Sequence, residues 1–442
     1  MKKEKRKIQN LRGVLLTLTV ASVLQSCLPS PDKPAASTTS QTAAQCDVSG
    51  EQLSQSSNDD IFKDVTATVT QNQDTTSDNR KRRYVQIDTA TLKNRILKRT
   101  TNHLKLPLFT DKLVDVNIQD IKQYSQDNIV ITGKTDDDIS AVTVVLKNDV
   151  VMANISEQGK KEHYQIKFSG NGVHTIQEVT AADDGECATA ESEMVTQPNS
   201  VEATAQDTTL SPLANPVIDV LVAYTTAAKN DAGGATAIQA LIQMGIADSN
   251  AAYVHSGVAL SLRLVGTMEV TQAESDFSSD LAALAGTTDG KWDEVHAERK
   301  RLGADLVDLV AHYTGTTTVG IGYIGSTYST GFSISDERAF SQYTFTHELG
   351  HNIGLQHSDG YNSDSGQFRT VMAYGSYTRI PYFSNPNVIY NGNATGTAAN
   401  NSAAVLNANN NKVAGFAVST ATVSEPATPS ITPPANTCTN TQ

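Results

Sequence analysis

Hydrophobic and polar positions divide the chain into stretches with different periods. A basic start, MKKEKRKIQNLR, leads into the apolar run GVLLTLTVASVL. A run of that length suits the core of an export signal and falls short of the roughly 20 apolar residues of a membrane span. Residues 1–26 are therefore read as a signal peptide. Residues 27–60 are rich in Ser, Thr, Gln and Ala and read as a disordered tether. From 61 to 196 the runs NIVITG, ISAVTVVLKNDVVMANI, HYQIKF and VHTIQEV are broken by turns such as KND and SGNG. Short Val, Ile and Tyr runs between such turns predict an antiparallel β-rich domain, with a mixed lead-in before residue 128. Residues 197–215 are polar and contain Pro, as a linker does.

A second structured block covers 216–419. VIDVLVAYT (217–225) is a continuous apolar strand. Ile238, Leu241, Ile242 and Ile246 follow at helical spacing, then the strand VALSLRLVGTMEV, a helix over 279–301 and the buried strand ADLVDLVAHY. The order βαβαβ implies a largely parallel sheet with crossover helices. VGIGYIG (319–325) and GFSISDERAF are two further strands, and the second leads into the next helix. The tail, 420–442, is rich in Pro, Thr and Ser and is read as disordered.

The formal net charge of −13 argues against a nucleic-acid-binding surface, which would carry a basic patch. The four cysteines are Cys27, Cys46, Cys187 and Cys438. The apolar run ends in LQSC, which resembles a bacterial lipobox, so Cys27 is the candidate lipidation site. Lipidation would leave three cysteines, an odd number in an exported protein. The block at 216–419 contains none.

The chemistry lies in THELGHNIGLQH. His347, Glu348, His351, Gly354 and His357 form the pattern H-E-x-x-H-x-x-G-x-x-H. Residues i and i+4 share one helix face, so His347 and His351 can hold one ion together. Gly354 ends the helix in a turn that suits a residue without Cβ, bringing in His357. Three protein ligands leave a position open for water, the mark of a catalytic zinc site. Glu348 then serves as the base that takes a proton from water.

The extended motif resembles the metzincin clan of zinc peptidases. RTVMAYG supplies Met372, resembling the Met-turn beneath the metal in that clan. Residues 216–419 resemble bacterial reprolysin-like proteases, most closely the peptidyl-Asp metalloendopeptidase group. HYQIKFSGNGVHTIQEV resembles their propeptide. The fold this implies is α/β (α+β), metzincin-like: a five-stranded, mostly parallel sheet with one antiparallel edge strand, two long helices and a Met-turn subdomain. Ser358 follows the third histidine, where reprolysins usually have Asp. Tyr374 has the spacing of a tyrosine that reaches zinc in astacins and serralysins. It is read either as an oxyanion-stabilising catalytic residue or as a packed core residue.

Cys187, at the end of the β-rich domain, is a candidate latency ligand for the zinc; its alternatives are a disulfide with Cys46 or a free thiol. VGIGYIG is read as the sheet edge over the cleft, where a peptide adds as a strand. Arg369 and Arg379 flank the Met-turn, where an arginine would favour Asp in the substrate, although surface arginines are the expectation. Asp359 and Asp364 read as a polar turn rather than a calcium site. RKRR (80–83) reads as a solvated face rather than a processing site. His255, His296 and His312 lack ligand spacing and receive no role.

The expectation is an exported, lipid-anchored precursor of a zinc metalloendopeptidase, monomeric and acting on protein or peptide substrates. Its membrane contact runs through the lipid alone, placing it at the outer membrane or cell surface. Activation by cleavage within 197–215 would release the catalytic domain. The rivals are a zinc-dependent adhesion protein without hydrolysis and a metalloenzyme acting on another amide or ester.

Overall fold

The computed structural model describes residues 61–65, 80–99, 101–137, 139–180, 185–188 and 215–421. The leader with Cys27, the tether with Cys46, nearly all of the linker and the tail with Cys438 lie outside the described residues.

The β-rich pattern builds one antiparallel sheet. Its strands are β1 (Phe62–Asp64), β2 (Arg82–Ile87), β3 (His103–Phe109), β4 (Lys112–Ser125), β5 (Asn128–Lys134), β6 (Ala141–Lys147), β7 (Val150–Glu157), β8 (Glu162–Phe168) and β9 (Val173–Glu178). Among the described residues they run in the order β1-β2-β9-β8-β7-β6-β5-β4-β3. The lead-in before residue 128 is also sheet, apart from helix α1 (Thr89–Leu97), which Asp88 caps by accepting from the Thr91 N–H. The turn residues Asn148 and Asn171 take positive φ, 51° and 52°, as tight hairpins require. RKRR runs into β2, where Arg83 pairs with Asp64 at 2.6 Å.

This sheet is covered on both faces, so β6 and β7 carry near-continuous apolar runs. Val144, Leu146 and Val151 point to a core with Leu92 and Ile96 of α1. Val145, Val150 and Met152 point the other way, into a core shared with the block that follows.

That block contains β11 (Val217–Thr225), α2 (Thr226–Asp231), α3 (Ala235–His255), β12 (Ser261–Val270), α4 (Phe277–Ala285) and α5 (Glu294–Leu302). It continues with β13 (Leu306–Ala311), β14 (Thr318–Gly322), β15 (Phe332–Asp336), α6 (Thr344–Ile353) and α7 (Ser402–Val413). Strands β12, β11, β13 and β15 are parallel neighbours, and β14 lies antiparallel on β15. A sixth strand, β10 (Glu186–Cys187), belongs to the end of the preceding domain and pairs parallel with β14. The edge over the cleft is thus already covered by the chain itself.

Two expectations need correction. The helix expected over 279–301 is two helices, because Gly286, Gly290 and the left-handed Trp292 (φ 63°) break it. Of the two long helices, only α3 is long, with 21 residues; α6 has ten. Helix α3 is buried on nearly every side because it lies between β12 and strands β5–β7. A helix apolar all round requires such double cover.

Candidate metal centre

Helix α6 presents His347 and His351 one turn apart, and the helix stops at Gly354, whose φ is 117°. A Cβ there would lie 2.5 Å from Asn409 Nδ2, and Asn409 on α7 donates to the Ile353 carbonyl at 2.8 Å. Glycine is therefore required by both backbone conformation and space. The turn carries His357 back to the helix.

The three imidazoles converge. Their Nε2 atoms are 3.1 Å (His347–His351), 3.2 Å (His347–His357) and 3.0 Å (His351–His357) apart. Zinc bonds of about 2.0–2.1 Å in tetrahedral geometry need nitrogens about 3.3 Å apart, so this triangle fits the ion. Backbone carbonyls set the tautomers: His347 Nδ1 donates to Val371 O at 2.9 Å and His351 Nδ1 to Leu355 O at 2.7 Å. Both Nε2 lone pairs are left for a metal. Burial pushes the pKa of His347 far down and those of His351 and His357 to about 4, so all three are neutral at physiological pH.

Glu348 is fully buried beside them, and burial pushes its carboxyl well above the usual range. Its Oε1 has no hydrogen-bond partner, while Oε2 accepts from the Cys187 thiol at 3.4 Å. Strand β14 passes so close that a Cβ on Gly320 would sit 2.2 Å from Glu348 Oε1. The glycines of VGIGYIG thus let the sheet edge approach the motif helix, a role their spacing in the sequence does not reveal.

Met372 is buried under α6, where a Cβ on Gly350 would lie 2.9 Å from its sulfur. The Val371 carbonyl on the same turn is the one that orients His347. The Tyr374 ring lies over His357, with centroids 4.0 Å apart, and its hydroxyl donates to the Cys187 carbonyl at 2.9 Å. The Cys187 sulfur is 3.6 Å from His351 Nε2, and it forms a four-residue cluster with the histidines, all ligand atoms within 4.8 Å. Among the described residues Cys187 is a free thiol.

The surface reading of the two arginines is overturned: both are buried. Arg369 braces the Met-turn loop by donating to the carbonyls of Ala373 and Tyr377. Arg379 donates to Gln342 O at 2.8 Å, and its charge acts on His347, Glu348 and His357 of the centre. Burial lowers its pKa to about 10, while the charges of Glu348, Cys187 and Tyr374 hold it up. Asp359 turns back to accept from the Gln356 N–H, as a turn residue does.

The fold and site together define a metallopeptidase domain. Residues 214–403 match the family described as Metallo-peptidase family M12B Reprolysin-like. This segment is a bacterial reprolysin-like metallopeptidase domain. It is 36% identical over 203 residues to a peptidyl-Asp metalloendopeptidase of Stenotrophomonas maltophilia, covering 41% of this chain and 48% of that protein. It is 30% identical over 284 residues to one of Xanthomonas campestris, covering 60% and 66%. The chain thus spans about half the length of the first of these relatives. Metalloproteinase-II from Bacteroides fragilis aligns over 65% of this chain and 90% of its own, with a TM-score of 0.39 and 14% identity.

Proposed function

We propose that the protein is a zinc-dependent metalloendopeptidase made as a latent precursor. The observation that carries this reading is the triangle of Nε2 atoms with Glu348 beside it. His347, His351 and His357 would hold the ion. Bound zinc supplies Lewis-acid chemistry, acidifying water from a pKa of about 15.7 towards 7 and polarising a carbonyl. Glu348 takes the proton from the attacking water and returns it to the leaving amine. Tyr374 donates to the developing oxyanion once its present partner, the Cys187 carbonyl, has left. Met372 and the Val371 carbonyl hold the ligand frame rigid from below.

Latency follows from β10. It lies on the edge strand a peptide substrate would use, and Cys187 points its sulfur at the histidines, where a thiolate is a strong zinc ligand. Removal of residues 61–196 by cleavage within 197–215 would uncover both edge and centre.

The relatives' shared name, peptidyl-Asp metalloendopeptidase, suggests the substrate class. Arg379 supports it: a buried guanidinium whose charge acts on Glu348 is a suitable partner for a substrate aspartate. Export and lipidation at Cys27 are proposed from the leader, putting the lipid on the propeptide side of the activating cleavage. Cell fractionation that finds the processed catalytic domain membrane-bound, free of propeptide, would count against that order.

The experiment is digestion of a peptide library by the full-length Cys187→Ala protein, beside the Cys187→Ala/Glu348→Ala double variant. Cleavage by the first alone is expected. Equal cleavage by both sinks the mechanism. Cleavage by neither that persists after the chain is cut within 197–215 and the β-rich segment is removed favours a zinc-binding protein without hydrolysis.

A further inference from the structure

A second group of metal-ligating side chains lies at the C-terminal end of β13. Asp231 ends α2, His312 follows β13, and Glu337 opens the 3-10 segment Glu337–Gln342 that leads into α6. Each offers a ligand atom, and these atoms all lie within 4.8 Å of one another. The three residues are far apart in sequence and come from three elements, so no local motif announces them.

The decisive group is Glu337. Its side chain is only 3% exposed, and Oε1 pairs with His312 Nδ1 at 2.5 Å. Its second oxygen, Oε2, is buried without any hydrogen-bond partner. A buried carboxyl oxygen left without a partner is costly unless something positive reaches it, and burial raises the Glu337 pKa to about 8. The neighbouring cation Arg338 is engaged elsewhere, donating to Asp336 and to the Tyr313 carbonyl. Glu274 adds a further carboxylate, accepting from the His312 N–H at 3.0 Å and from the Thr225 hydroxyl at 2.5 Å. The neighbourhood therefore has four carboxylates around one guanidinium and one imidazole. Asp231 is exposed and opens the cluster to solvent.

We infer that Asp231, His312 and Glu337 bind a second divalent metal ion, distinct from the one at the three histidines. One imidazole with two carboxylates suits a zinc-type ion; calcium would take six to eight oxygens. An ion here takes the place of the proton between His312 Nδ1 and Glu337 Oε1, and that proton is released to solvent. The ion would tie α2 and the end of β13 to the segment entering α6, fixing where the motif helix starts.

The test counts metal on the full-length protein, stripped by chelation and reloaded with Zn2+ alone, or with Co2+ for its visible spectrum. Two ions per chain are expected. Asp231→Ala, at an exposed position with little risk to folding, should weaken the second ion at least about tenfold and leave one. His347→Ala should also leave one, with the Co2+ spectrum of a site rich in oxygen ligands. A single wild-type ion that Asp231→Ala retains, or two ions undiminished in both Asp231→Ala and Glu337→Gln, overturns the inference. Loss of an ion in Asp231→Ala but not in His347→Ala would uphold this site while contradicting the reading of the histidine centre.

Discussion

The Tyr374 hydroxyl donates to the backbone carbonyl of Cys187 at 2.9 Å, and the thiol of that same cysteine lies 3.6 Å from His351 Nε2. One residue of the β-rich domain thus occupies both the metal-facing position and the hydroxyl that would serve a substrate carbonyl. Tyr374→Phe should lower kcat of the activated enzyme by about 10- to 100-fold, the scale of losing one oxyanion donor. Bound zinc should stay constant. Steady-state kinetics beside metal analysis check this; an unchanged kcat would make Tyr374 a packing residue.

Cys187→Ala should give a full-length protein that cleaves peptide without processing, because the sulfur is withdrawn and β10 is left with its short ladder on β14 and the Tyr374 bond to the carbonyl of residue 187. The rate of the intact variant, compared with the intact wild type, is the measurement. Equal silence in both would assign latency to the sheet contact rather than to the thiol.

Gly320→Ala places a methyl 2.2 Å from Glu348 Oε1. Glu348 must move, and misplacing a catalytic group by about 1 Å costs on the order of 100-fold in rate. The activated variant should bind zinc as the wild type does and lose activity by about that factor. Full activity would show that the strand, rather than the carboxylate, gives way.

Asp248 on α3 is wholly buried against the β-rich domain, accepting from Asn154 at 2.8 Å and from Thr143. Burial raises its pKa to about 7. A raised pKa contributes docking stability that is full below its ordinary value, near 4, and is lost as pH rises through about 7. After the linker is cut, the propeptide should leave more readily at pH 8 than at pH 5, by up to about tenfold per pH unit across that window. Asp248→Asn should flatten this dependence. Propeptide retention on gel filtration across that pH range is the readout, and an unaltered slope in the variant would rule Asp248 out.

Arg379→Gln should abolish any preference for aspartate and leave zinc binding intact. Competition between Asp-containing and Asn-containing peptides measures it. A preserved preference would move the recognition of aspartate to another group.

The zinc motif was legible because its geometry is local. His347 and His351 share a helix face by their spacing alone, and Gly354 marks the turn that returns His357. The alternation of strands and helices, and the β pattern before it, followed from hydrophobic periodicity in the same way. The break between α4 and α5 falls in the polar stretch GTTDGK, which a single helix over 279–301 overlooks; Gly286, Gly290 and the left-handed Trp292 turn the backbone there.

Other features depend on residues distant in sequence. Nothing near Cys187 says that it pairs with β14 and faces His351; that depends on how two domains dock through α3. The burial of Arg379 and the meeting of Asp231, His312 and Glu337 likewise come from packing between elements far apart in the chain. The sequence by itself determined which side chains could hold a metal and act as base. Only the tertiary structure decided which strand covers the edge, that Arg369 and Arg379 are both buried and which carboxyl oxygen is left buried without a partner. Those outcomes depend on burial and long-range register, which a local pattern does not encode.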